Sequence, residues 1–145
     1  MADFTHSLLD CAKILLAGLL TFPFAINRER KTRIMGIRTF PLVGVGTCAI
    51  VILAKNFIGD GSGDAEARII QGILSGIGFV GGGAILRNGD RVHGTECAAG
   101  IWVTGAIGIS VAHNEWVIAV FLSLLALTVF QFLTGMKKEP DNTGT

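Results

Sequence analysis

Residues 69–86 read IIQGILSGIGFVGGGAIL, which is eighteen consecutive residues without a formal charge. A helix of this length is about 27 Å long, close to the roughly 30 Å hydrocarbon core of a bilayer. Glycine weakens a helix in water, but in lipid each unbonded backbone group costs more, so the helical form is still favoured. Glycines spaced as GxxxG also let a second backbone approach closely. The run predicts a membrane helix suited to close contact through Gly72, Gly76, Gly78, Gly81, Gly82 and Gly83.

The composition of the whole chain indicates a membrane protein. Half of the residues are hydrophobic, the mean hydropathy is +0.60 and only 16% of residues are charged, whereas a soluble domain carries about 25%. The three cysteines have no CxxC spacing, so the sequence predicts neither a disulfide framework nor a zinc site. A net charge of +1 gives no indication of nucleic-acid binding.

Apolar spans and basic loops together predict the topology. Nine of the twelve lysines and arginines fall in the loops after spans one, three and five, which the positive-inside rule places in the cytoplasm. We therefore predict an all-α polytopic membrane protein with an outside N-terminus, a cytoplasmic C-terminus, one membrane domain (1–135) and a polar tail (136–145). Charge alone leaves open whether span one crosses. The spans are residues 8–26, 40–58, 69–86, 97–112 and 116–133.

A ridge of small residues recurs on span four. Gly100, Thr104 and Gly108 are spaced four apart, so they share one helix face. We expect this ridge to pack against the glycines of span three, backbone to backbone. The glycines could serve packing alone, or they could line a narrow passage or a partner's docking groove. Trp102 is interpreted as a lipid-facing or inter-helix side chain.

A charged cluster follows span one and invites two interpretations. Its residues could set topology and attract anionic lipid headgroups, at about 1 kcal/mol for each basic residue. Alternatively, Arg38 and Thr39 could bond Asp90 or Glu96 in the loop between spans three and four. The motif comprises Arg28, Glu29, Arg30, Gly36, Arg38 and Thr39.

Two further patterns are weak indications of ligand binding. Gly76, Gly78 and Gly81 match GxGxxG, but a dinucleotide site needs a preceding strand, which a mid-span position excludes. His93 and Glu96 are three apart, yet two ligands without a third rarely hold a transition metal. The sequence predicts no cofactor, no metal site and no enzymatic activity.

Three blocks of sequence carry a family resemblance by their order and spacing. They are residues 37–39, residues 76–86, and Val92-His93-Gly94 followed by Ala98-Ala99, Ile101-Trp102 and residues 106–108. In these blocks the chain resembles the membrane domain of the MgtC/SapB family, over about residues 8–133 and without the soluble C-terminal domain of longer members. Departures from the family pattern fall at Asn27, where glutamate is usual, at residues 80–83, and at Thr95, Glu96 and Cys97, where Leu-Thr-Thr is usual.

The resemblance implies a small multi-pass protein of the bacterial inner membrane, linked to magnesium limitation, ATP homeostasis and virulence. It implies a regulator that contacts other membrane machinery, such as the F-type ATP synthase or a magnesium pump. Asp90, His93, Gly94, Glu96 and Trp102 then form a candidate functional loop.

The alternative is a small Mg²⁺ transporter or channel subunit. Ion pathways usually carry ionisable groups inside the membrane, and the centres of spans two to five have none. Only Asp10, Lys13 and Glu96, near span ends, could contribute, which favours the regulator. Backbone carbonyls exposed at Gly81 to Gly83 could still coordinate an ion without charged side chains. Five short helices bury little area alone, so we also expect a homo-oligomer.

Overall fold

Five helices and one short hairpin make up the computed structural model, which describes residues 2–32, 36–58, 63–88 and 91–132. The hairpin is antiparallel and pairs Leu86 with His93 and Asn88 with Arg91. Asp90 and the predicted tail 136–145 lie outside the described residues. The elements are α1 (Ala2–Thr32), α2 (Thr39–Ile58), α3 (Gly63–Gly83), β1 (Leu86–Asn88), β2 (Arg91–His93), α4 (Thr95–Ala112) and α5 (Trp116–Phe132).

The helices confirm the predicted class, a helical membrane protein. Three helices are long and apolar enough to cross a bilayer: α2, α4 and the part of α1 from Phe4 to Glu29. The helix α5 is also apolar but shorter. The helix α3 has 21 residues but carries Asp64 and Glu66 in its first turn. These charges lower the mean hydropathy of α3, so α3 is not among the three helices that are apolar enough to cross a bilayer.

Helix ends differ from the predicted spans where charge or glycine misled the sequence analysis. The predicted first span ended at residue 26, but α1 continues through the charged run to Thr32, because charged residues are good helix formers. The predicted third span, 69–86, begins six residues earlier and ends at Gly83. There Ala84 N–H donates to Gly81 O (3.0 Å), and the chain turns into β1. This hairpin was not predicted.

The centre of the bundle is α4, which contacts each of the other four helices. Half of its apolar window is buried inside the protein, against 22% for α1 and 28% for α2. Its buried face includes the predicted ridge of Gly100, Thr104 and Gly108.

The helix that meets this ridge is α2, which corrects the predicted pairing of spans three and four. A Cβ at Gly108 would lie 2.6 Å from Gly44 O, and a Cβ at Gly44 would lie 3.4 Å from Thr104 Cγ2. The two backbones therefore approach closely where α2 crosses α4. Spacing on α4 identified a small-residue face but carried no information on which helix fills it.

Most glycines of α3 have no neighbour at the Cβ position among the described residues. A Cβ at Gly72, Gly76, Gly78, Gly82 or Gly83 would meet nothing within 4 Å. Contact with α4 comes instead from Gly81, where a Cβ would lie 3.5 Å from Ala98 O, and from Ile77, whose side chain fills the space over Gly105. The glycine run of α3 thus leaves an open face.

Candidate functional site at the cytoplasmic end

A buried arginine lies at the end of the bundle that the basic loops predict to be cytoplasmic. The extension of α1 beyond residue 26 carries Arg28 against the first turn of α4, where only 3% of its surface is exposed. Arg28 Nη1 donates to Glu96 Oε2 at 2.6 Å, and Arg28 Nε donates to Cys97 Sγ at 3.2 Å. A buried charge must be paired to be tolerated, and Glu96 supplies a carboxylate that pairs with Arg28 there.

Three phenylalanines form a cluster beside this arginine, and one of them, Phe130, contacts it. Phe24 lies 5.6 Å from Phe40 and 6.0 Å from Phe130 between ring centroids. Arg28 Cζ lies 5.5 Å from the centroid of Phe130, within range of a cation–π contact. Gly100 makes room for these rings, since a Cβ there would lie 2.8 Å from Phe130 and 2.9 Å from Phe40. The aromatic cluster and the salt bridge together join α1, α2, α4 and α5.

The neighbouring Glu29 has a different role and closes the loop between α1 and α2. Glu29 Oε2 accepts a hydrogen bond from Ile37 N–H at 3.2 Å. Gly36 is buried directly against Glu29, and a Cβ at Gly36 would lie 2.8 Å from the Glu29 backbone nitrogen. The side chain of Arg30 lies outside the described residues. Arg28 and Glu29 are adjacent in sequence, but Arg28 pairs with Glu96 in the bundle whereas Glu29 bonds the loop between α1 and α2.

The predicted contact of Arg38 with Glu96 is wrong, because Arg28 pairs with Glu96. Arg38 is exposed and Thr39 begins α2, where Leu42 N–H donates to Arg38 O. The alternative partner of Arg38, Asp90, is not in the described part of the chain. Arg28 could have been identified from spacing: Phe24 and Arg28 are four apart, so on a continuous helix they share the face that meets the core.

The candidate loop is a hairpin that delivers the chain to α4. Gly94 has φ 89°, a left-handed conformation that side-chain-bearing residues rarely adopt. A Cβ there would also overlap the carbonyl oxygen of Ala84. His93 is exposed in β2, apart from the Arg28 pair, and Trp102 is 47% exposed. Glu96 is therefore the loop residue that the structure joins to the charged motif.

Ligand sites suggested by single motifs gain no support from the geometry. Within the described ranges, no three His, Cys, Asp or Glu side chains group as metal ligands. Gly76, Gly78 and Gly81 lie inside α3, with helix on their N-terminal side instead of the strand that a dinucleotide site requires. The GxGxxG match is therefore a packing pattern.

Two apolar clefts flank the open face of α3. One, of about 430 Å³, lies between α2 and α3 and is lined by residues such as Val43, Ile50, Ile69 and Ile73. The other, of about 590 Å³, lies between α3 and α4, where Trp102 faces Leu74 and Gly78. Trp102 is thus an inter-helix side chain at a lipid-facing cleft.

Sequence comparison places these features in a family. The profile of the MgtC family matches residues 14–139. The protein SrpB of Synechococcus elongatus is 36% identical over 135 residues, covering 83% of this chain and 74% of SrpB. A proposed magnesium transporter, YhiD of Escherichia coli, is 30% identical and is covered over 60% of its length. The protein MgtC of Salmonella typhimurium is 33% identical and is covered over 46% of its length.

No solved structure matches the chain. The chain spans from about half to three quarters of the length of these relatives. The family match covers most of the five-helix bundle, including the Arg28–Glu96 site and α3, and its relatives are membrane proteins. The chain therefore belongs to the MgtC family and is a multi-pass helical protein of the bacterial inner membrane.

Proposed function

We propose that this protein is a non-enzymatic regulator that acts by direct contact with other membrane machinery. The observation that carries the proposal is the open glycine face of α3. The exposed glycines Gly72, Gly76, Gly82 and Gly83 leave the backbone of α3 accessible to a second helix, and association in lipid depends on such close approach. The same face also supports self-association into a homo-oligomer.

The distribution of charge supports a regulator over a transporter. Asp10 and Lys13 pair with each other 3.9 Å apart on α1, and Glu96 is paired with Arg28 at the cytoplasmic end. After Glu96, helix α4 carries no Asp, Glu, Lys, Arg or His up to its last residue, Ala112, whereas ion pathways usually carry such groups inside the membrane. The carbonyls of Gly81 and Gly82 accept hydrogen bonds from Ala84 and Ile85, which makes them poorer ion ligands.

Magnesium transport is the second candidate, favoured by the description of the relative YhiD. Under the regulator proposal, magnesium limitation, ATP homeostasis and virulence are the processes affected. The F-type ATP synthase and a magnesium pump are then the first partners to test. These processes and partners are proposed from the family resemblance. A measurement of Mg²⁺ flux distinguishes the regulator from the transporter.

A pair of glycine variants tests the contact. Gly76 on α3 and Gly46 on α2 both have open Cβ positions, so leucine at either should leave the fold intact. We expect Gly76→Leu to abolish recovery of a stoichiometric partner after mild extraction from native membranes, whereas Gly46→Leu retains it. Equal recovery from both variants would contradict the role of the α3 face.

A flux assay completes the test. Vesicles containing the purified protein and a magnesium-sensitive dye should take up Mg²⁺ no faster than empty vesicles. Uptake that requires the protein would replace the regulator by the transporter.

A further inference from the structure

A cluster of three ionisable side chains joins three helices at the end of the bundle opposite Arg28. Lys55 comes from the last turn of α2, Glu66 from the first turns of α3, and His113 from the C-cap of α4. The positive-inside rule predicts that this end faces away from the cytoplasm. The side chains are between 26% and 41% exposed, so water and protons reach them.

The contacts determine which nitrogen of His113 carries its proton. Lys55 Nζ lies 3.0 Å from His113 Nδ1, and an ammonium has only donors, so Nδ1 must be an unprotonated acceptor. The proton is therefore on Nε2, which faces Glu66 Oε1 at 3.2 Å. This second contact does not meet the geometry of a hydrogen bond, and both atoms are buried without a hydrogen-bond partner among the described residues. The contact is therefore electrostatic.

Protonation of His113 turns its contact with Lys55 from attractive to repulsive. A charged imidazole carries N–H groups on both nitrogens, so Nδ1 would point a proton at the Lys55 ammonium. The contact of the ring with Glu66 would become a full ion pair. Lys55 is also 3.6 Å from Glu66, so two cations would compete for one carboxylate. Lys55, the more exposed of the two cations, is the group that leaves.

Among the residues that the structure describes, no other charged side chain is paired with the cluster. On α3, Asp64 and Arg68 are exposed, and Glu115 is exposed after the turn that follows α4. On α1, Asp10 contacts both Lys13 and His6. The helix α5, which also packs on α4, carries no titratable side chain in its residues 116–132.

The cluster lies at one end of the α2–α3 cleft. Ile50 and Ile69 both line that cleft. Ile50 precedes Lys55 by five residues, and Ile69 follows Glu66 by three. The contact between α2 and α3 is the smaller of the two that α3 makes with its neighbouring helices. Loss of the Lys55 contact would therefore free the end of α2 from α3 at this point.

We propose that protonation of His113 expels Lys55 and opens the α2–α3 cleft at its non-cytoplasmic end, so that the protein responds to acid on that side of the membrane. Histidine is the side chain whose ordinary titration falls between about pH 5 and 8. The inference goes beyond the proposed function and is independent of it, since it concerns a motion within one chain.

Hydrogen exchange in lipid nanodiscs tests the proposal on residues 50–58 and 63–70. The His113→Gln variant keeps an acceptor and a donor at every pH, and comparing variants at one pH cancels the intrinsic dependence of exchange. At pH 5.5 the wild-type segments should exchange about fivefold faster than those of His113→Gln, and at pH 7.5 the two should agree within about twofold. Equal exchange at pH 5.5 would overturn the proposal.

Two further variants separate the mechanism from a general effect of acid. The chain has three histidines, so the double variant His6→Gln/His93→Gln should keep the full wild-type response, and loss of the response there would also overturn the proposal. Lys55→Met removes the competing cation, so the charged His113 should now bind Glu66 more strongly. At pH 5.5 residues 63–70 of Lys55→Met should exchange more slowly than in the wild type, and faster exchange would contradict the assigned competition.

Discussion

Helices α3 and α4 carry similar small-residue patterns but occupy opposite environments. On α4, a Cβ at Gly108 would meet Gly44 O at 2.6 Å, whereas on α3 a Cβ at Gly76 would meet nothing within 4 Å. The same spacing therefore marks a completed contact in one helix and an open face in the other. The comparison teaches that GxxxG indicates where a backbone can be approached, while the partner must be found in the tertiary structure.

Leucine substitution at Gly108 and at Gly76 tests the comparison most directly. Leucine at Gly108 would push against the backbone of α2, which cannot move aside as a side chain could, so Gly108→Leu should lose about 3 kcal/mol or more. Gly76→Leu should change the melting temperature of the isolated protein little. Thermal unfolding in detergent measures both, and equal losses would show that α3 is packed as tightly as α4.

The Arg28–Glu96 pair gives the next largest effect, at the N-terminal end of α4, which the basic loops predict to be cytoplasmic. Glu96→Ala leaves a guanidinium that is 3% exposed without its carboxylate and should cost about 2–3 kcal/mol. Arg28→Met leaves Glu96, which is 44% exposed and can be hydrated, so this variant should lose less. The double variant should be close to Arg28→Met. Unfolding free energies for the four proteins form a double-mutant cycle, and a larger loss in Arg28→Met would contradict the asymmetry.

Two isoleucines sharpen the comparison with matched chemistry. Ile107 on α4 is fully buried, and Ile77 on α3 is 6% exposed but also lines the α2–α3 cleft. A cavity at Ile107 would be enclosed, whereas one at Ile77 can be filled by lipid. We expect Ile107→Ala to cost about 2 kcal/mol and Ile77→Ala less than about 1 kcal/mol. Chemical denaturation in mixed micelles measures the difference, and a larger loss at Ile77 would remove the distinction between the helices.

The smallest effect concerns a hydrogen bond outside both glycine faces. Ser123 Oγ on α5 donates to Leu20 O on α1 at 2.5 Å. Interhelical hydrogen bonds in membrane proteins contribute about 0.6 kcal/mol on average, so Ser123→Ala should lose about that much. Thr128 Oγ1 bonds within its own helix, to Leu124 O, so Thr128→Ala is the control. A loss at Ser123 as large as that of Glu96→Ala would place α5 among the principal supports of the bundle.

Uniform apolar runs were the features that sequence located best. The predicted spans 40–58 and 116–133 are close to α2 (Thr39–Ile58) and α5 (Trp116–Phe132), because charged or polar residues bound both runs. The predictions for α1 and α3 missed their charged ends, since Arg28 and Glu66 resemble loop residues while lying in helices. The hairpin was missed because strands of three residues carry too short a pattern to recognise.

The candidate site was predicted in part. Arg28 and Glu96 were both named from the sequence, but the one contact considered for Glu96 was with Arg38 or Thr39, since proximity across 68 residues leaves no local signal. The aromatic cluster of Phe24, Phe40 and Phe130 was not recognised, because its members lie on three different helices.

The sequence by itself determined that this is a helical membrane protein and that two of its helices carry runs of small residues, and its basic loops predict the orientation. These properties are local, since hydropathy, charge and residue size act where each residue lies. Only the tertiary structure decided that α4 is enclosed while α3 is open, that Arg28 pairs with Glu96, and that Lys55, Glu66 and His113 meet. Those outcomes depend on which helix faces lie together, and one-dimensional periodicity does not contain that information.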